Sequence, residues 1–149
     1  MKKVWLFVTM LAIIYFSNTP SLKVSNPETW INEPRYEQHV TSKDVFRKNS
    51  EFFRPYKKEI ELEFILHKAS HVTFYSLLTY LVWINVRRKV FITWGCVILF
   101  ALTDEVHQYF VTGRSGRLWD VVLDSSASLL VLIGLAIATS IQKRKKPQE

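Results

Sequence analysis

VVLDSSASLLVLIGLAIATSI, residues 121–141, decides the fold. The run carries one charge, Asp124, and ends beside the basic cluster Lys143-Arg144-Lys145-Lys146. About 20 predominantly apolar residues match the hydrocarbon core of a bilayer, so it reads as a membrane-spanning helix stopped by cations. Three more apolar blocks precede it, Val4–Phe16, Val72–Ile84 and Val90–Thr103. The block from Val90 reaches spanning length only if Asp104, Glu105 and His107 belong to its helix. The pattern predicts an all-α chain, a four-transmembrane-helix bundle with a long outer loop between helices 1 and 2.

Charge sets the expected orientation. The net charge is +7, with 20 basic and 13 acidic residues in 149. Lys2, Lys3, Arg87-Arg88-Lys89 and the 143–146 cluster all flank apolar ends, and Glu149 is the one acid on their side. Basic residues flanking spans mark the cytoplasmic face, which places both termini inside and sets these clusters against anionic membrane lipids. The same placement argues against a nucleic-acid partner, because the cations form no single stripe. The first block follows a charged start as a signal peptide would, yet Tyr15-Phe16-Ser17-Asn18-Thr19 lacks a small-x-small cleavage pattern. A retained signal anchor over 1–22 is favoured. An extracytoplasmic loop over 23–61, a three-helix membrane core over 62–142 and a basic cytoplasmic tail over 143–149 complete the expected organisation.

Within the outer loop, Thr41-Ser42-Lys43-Asp44 resembles a capping box, predicting a short helix over about 42–53 that Pro55 ends. Phe46, Phe52 and Phe53 would lay it on the membrane surface or the bundle. A second helical run from about Lys57 continues into helix 2. His39 reads as a surface residue, and the lone Cys96 as a packed or lipid-facing one. Glu63, His67 and His71 share a helix face at metal-like spacing, but that spacing is common and the region is dense in charge. A solvated face is the better reading, and neither a metal site nor a cofactor is expected.

The chemistry concentrates in TDEVHQYFVTGRSGRLWDVVLDSS, residues 103–126, where four carboxylates, one imidazole, one carboxamide and two guanidiniums lie between apolar blocks. Counted from the cytoplasmic helix ends at about 1.5 Å per residue, His71 and Glu105 lie about 24 Å up and Asp124 about 28 Å. Three helices thus deliver ionisable groups to one depth near the outer boundary of a core about 30 Å thick. Asp104 is spaced to meet His107 and Gln108, and points about 100° from Glu105. Asp104 and His107 fit the headgroup region. Asp120 and Asp124 share a face and repel unless a cation or a shared proton intervenes. Arg114 and Arg117, with Gly113 and Gly116, suit an anion at the outer surface. Ionisable groups at membrane depth face a partner or a cavity and mark function by default; the competing interpretation is a structural network tying the helices together.

Three clusters carry a resemblance. Lys68-x-x-His71-x-x-x-Tyr75 opens helix 2, Thr103-x-Glu105-x-x-Gln108-x-Phe110 closes helix 3, and Gly113-Arg114 leads to Asp120-Val121-x-x-Asp124. Over about residues 62–141 the chain resembles the VanZ-like family of small bacterial membrane proteins, whose founding member is linked to low-level teicoplanin resistance. The resemblance places the family's motif positions on Lys68, His71, Tyr75, Glu105, Gln108, Arg114 and Asp120. Two positions depart from it: Asp124 replaces a typical Asn, and Ser128 a typical Gly.

The expected function is an outward-facing polar pocket that binds or modifies an anionic or sugar-bearing cell-envelope component. Lys68, Tyr75, Gln108, Arg114, Arg117, Asp120 and Asp124 are its expected binding residues. Arg114, with Arg117, would hold the anion; His71 and Glu105 would exchange protons, oriented by Asp120 and Asp124 or by a cation bound there. No nucleophile motif or cofactor fingerprint accompanies them. Two other classes stay open: a non-enzymatic binder of an envelope target or partner, and a small proton-coupled transporter, for which four helices call for a homo-oligomer.

Overall fold

The computed structural model describes residues 1–37, 40–56 and 61–145. His39 and the expected helical run from Lys57 to residue 60 lie outside them. The described chain is all-helical: α1 Lys2–Ser17, α2 Ser42–Val45, α3 Leu62–Asn85, α4 Val90–Gln108 and α5 Leu118–Lys145. Two 3₁₀ turns, Pro27–Ile31 and Glu51–Phe53, interrupt the segment 18–61 between α1 and α3, called the outer segment after its expected side. No strand occurs among the described residues, only an isolated antiparallel bridge between Tyr36 and Val111.

Helix α3 is the hub, packing against α1, α4 and α5, while α4 and α5 also pack on each other. The core of Ile13, Tyr75, Leu78, Val97, Ala101 and Val121 draws on all four long helices. Small side chains let the axes approach: Thr79, Thr93, Ala101 and Ser128 are fully buried, and the Thr79 and Ser128 hydroxyls meet at 2.9 Å between α3 and α5. Trp94 Nε1 donates to the Ser125 carbonyl at 3.1 Å, joining α4 to α5. The α3–α4 hairpin turns through two left-handed residues, Arg87 (φ 55°) and Arg88 (φ 61°), the second with its guanidinium 5.3 Å from the Trp83 ring centre.

Two helices, α4 and α5, are long and apolar enough to cross a membrane among the described residues. Only 28% and 22% of their apolar windows is buried, whereas the core helix of a soluble protein buries most of its surface. Together with the family assignment below, this makes the chain a membrane protein. The other two expected spans lack that signature for visible reasons. Helix α1 is 16 residues long, and α3 spends its first turns on Glu63, His67, Lys68 and His71.

The loop expectations need two corrections. Helix α1 stops at Ser17, short of Leu22, because Pro20 has no N–H to continue the ladder; Thr19 Oγ1 donates back to the Tyr15 carbonyl at 2.9 Å instead. The helix expected over 42–53 is only α2. Asp44 accepts from Thr41 N (2.8 Å) and Thr41 Oγ1 (2.6 Å), but Ser50 Oγ accepts from Phe52 N and starts a separate turn. That turn buries Phe52 against Tyr109 and leaves Phe46 exposed.

Candidate functional site

The ends of α3, α4 and α5 meet beneath the outer segment. On α3, His71 Nδ1 stands 3.1 Å from Asp124 Oδ2 of α5 and 3.7 Å from Glu105 Oε1 of α4. All three residues are buried, and one donor atom from each lies within 4.8 Å of the others, a spacing within reach of one metal ion. Glu105 Oε2 accepts from the backbone N–H of Arg117 at 2.9 Å. Among the described residues, Glu105 Oε1 and Asp124 Oδ1 are buried without a hydrogen-bond partner.

Two further networks flank this centre. Asp120 Oδ1 pairs with Lys68 Nζ and accepts from Tyr56 Oη at 2.7 Å. The Lys68 ammonium also lies over the Tyr56 ring at 4.6 Å, so cation–π attraction adds to the ion pair. On the other flank, Asp104 Oδ2 accepts from Tyr75 Oη and Gln108 Nε2, both at 3.0 Å. Arg114 donates to Gln108 Oε1 at 2.7 Å, and the Tyr75 ring stacks on His71 with centres 6.0 Å apart. Outside the spans, burial pulls the Arg114 guanidinium below its ordinary pKa, opposed by Glu105, Asp104 and Asp120. Burial raises the Tyr56 hydroxyl, and its bond to Asp120 raises it further, so it stays a donor.

A cavity of about 240 Å³ opens beside these networks. Its lining combines apolar side chains, among them Ile13, Phe16, Leu22, Trp30 and Phe74, with the polar His67, His71, Asp104, Gln108 and Arg114. Of the expected site residues, His71, Tyr75, Gln108 and Arg114 line the cavity. Lys68, Glu105, Asp120 and Asp124 stand outside its lining, engaged with one another and with His71. Arg117 also stands outside the lining, and its guanidinium donates to the Pro55 carbonyl at 3.2 Å.

The metal-like face of Glu63, His67 and His71 does not assemble. Glu63 accepts from Val24 N, Ser25 N (3.2 Å) and Ser25 Oγ (2.5 Å), which ties α3 to the outer segment. Asp104 is buried and bonded from two helices, and its i, i+4 spacing to Gln108 is the sequence signal for one of those bonds. Nothing local marks Tyr56, which reaches Asp120 across 64 positions.

Residues 3–141 match the family model described as VanZ/LLP1. The chain belongs to the VanZ/LLP1 family. No curated protein and no solved structure matches it. The VanZ/LLP1 match begins at residue 3, so it takes in α1 and the outer segment as well as the three-helix core from residue 62 that carried the resemblance. These added parts supply Ile13, Phe16, Leu22 and Trp30, most of the apolar residues that line the cavity.

Proposed function

We propose that this VanZ/LLP1 protein is a four-span membrane protein with both termini cytoplasmic, whose outer cavity binds an amphipathic cell-envelope component. The observation that carries this reading is the mixed lining of the cavity, mostly apolar with a few polar groups. Its apolar lining residues suit an acyl or polyprenyl chain, and Arg114, held by Gln108, suits an anionic or sugar-bearing headgroup. In the ion-free cluster, His71, which lines the cavity, exchanges a proton with the bound molecule, and Glu105 behind it exchanges one with His71. The four-span topology draws support from apolar side chains facing outward on all four long helices, among them Trp5, Leu77, Phe91 and Leu130.

Teicoplanin susceptibility of a sensitive Gram-positive host tests the reading, with wild type, Arg114→Ala, His71→Ala and Glu105→Gln matched for membrane abundance. Wild type protects and Arg114→Ala does not. Loss of protection in Glu105→Gln indicates chemistry on the bound component, and its retention indicates binding alone. No protection by wild type refutes the envelope role. Topology is read separately in a Cys96→Ala background. Cysteine at Glu28→Cys reacts with an impermeant maleimide on intact cells, and at Lys143→Cys only after lysis.

A further inference from the structure

We propose that His71, Glu105 and Asp124 bind one divalent cation of the zinc or manganese class. Each residue comes from a different helix, so the site exists only in the folded bundle. Donors on one such ion, at about 2.0–2.2 Å each, stand roughly 3–4.4 Å apart. The donor atoms here lie within 4.8 Å of one another, a small side-chain rotation from that span.

The oxygens left over point to the same occupant. Glu105 Oε1 and Asp124 Oδ1 are buried and unpartnered among the described residues, and both belong to this one cluster. A buried carboxylate oxygen without a partner is costly, and two in one site call for a shared cation. Charge agrees. Asp104, Glu105, Asp120 and Asp124 are four buried carboxylates, while among the described residues two cations, Lys68 and Arg114, donate into their networks. As carboxylates they exceed those cations by two charges, which one divalent ion cancels. The backbone N–H of Arg117 already holds Glu105 Oε2, as outer partners commonly hold metal-ligating carboxylates.

The donor types narrow the metal. One imidazole and two carboxylates with no thiolate disfavour copper(I), and the imidazole disfavours the all-oxygen cages of magnesium and calcium. Zinc and manganese accept mixed nitrogen and oxygen donors, and three protein ligands leave coordination positions open. The competing occupant is a proton shared between His71 and the two acids.

Metal loading of the full-length protein in detergent decides between them and needs no envelope ligand, so it is read independently of teicoplanin protection. Chelator-stripped protein, monodisperse by size exclusion, is titrated with Zn²⁺ or Mn²⁺, desalted and assayed by mass spectrometry for bound metal. Wild type retains about one ion per chain. The isosteric Glu105→Gln and Asp124→Asn lose affinity at least about tenfold, and Glu63→Gln, outside the cluster, loads like wild type. Folded wild type retaining neither metal, or both cluster variants loading like wild type, overturns the proposal in favour of the shared proton. Should the variants misfold, X-ray absorption of zinc-loaded wild type still decides. One imidazole among oxygen donors supports the site, and two imidazoles or a sulfur donor overturn it.

Discussion

Gly116 lies so close to the last turn of α4 that a Cβ built on it would stand 1.9 Å from the Glu105 carbonyl oxygen and 2.6 Å from Tyr109 N. This approach lets the next residue, Arg117, donate its backbone N–H to the Glu105 side chain. The glycine serves an anion, and that anion is the protein's own carboxylate.

Gly116→Ala must therefore push the α4–α5 loop off α4 and release Glu105. A destabilisation of about 1–3 kcal/mol is expected, the range for overpacking at a close contact. Gly134→Ala is the control, because a Cβ there meets nothing within 4 Å. Thermal unfolding in detergent separates them: the first variant melts lower, the second does not.

Removing Lys68 leaves Asp120 buried with Tyr56 as its partner among the described residues. Lys68→Met is expected to cost about 3–5 kcal/mol, the penalty for a buried charge that has lost its counter-ion. Replacing both partners, as Lys68→Met with Asp120→Leu, recovers most of that loss. A double-mutant cycle of unfolding free energies checks it, and additive losses would refute the pairing.

Tyr75→Phe keeps the ring stacked on His71 and deletes only the donor to Asp104. A loss of about 1–2 kcal/mol is expected, since Gln108 Nε2 still serves the same oxygen. Added to Gln108→Leu, the substitution should cost more than the two single losses combined, because Asp104 is then left without either donor. Equal sums would place the two bonds in separate networks.

The outer segment carries an acid-sensitive contact. The Thr41 hydroxyl and backbone N–H hold the half-buried Asp44 carboxyl below its ordinary pKa, with a smaller contribution from Arg47. A depressed carboxyl stabilises the fold above its unfolded pKa of about 3.9 and loses that contribution as pH falls through the folded value. Hydrogen exchange at residues 42–45 should thus stay protected at neutral pH and open only below the ordinary Asp range. In Asp44→Asn the protection is lower and this step is absent.

Sequence alone determined the apolar blocks, the basic clusters at their ends and the common level of the bundle at which His71, Glu105 and Asp124 meet, because hydropathy and helical rise act along the chain. It also settled which residues share a face within one helix, as for Asp104 and Gln108. Rotation about each helix axis and the partner chosen from another element are decided by packing between helices, which one-dimensional periodicity does not encode. Asp104 and Glu105 point about 100° apart on α4. Both are buried because Tyr75 closes on one from α3 while the Gly116–Arg117 backbone closes on the other. Asp120 and Asp124, a repelling pair by spacing, are separated in the same way: Lys68 and Tyr56 take the first and His71 the second. Tertiary structure turned a band of charge at one level of the bundle into three distinct networks, since each buried carboxylate needs its own donors and these arrive from different segments.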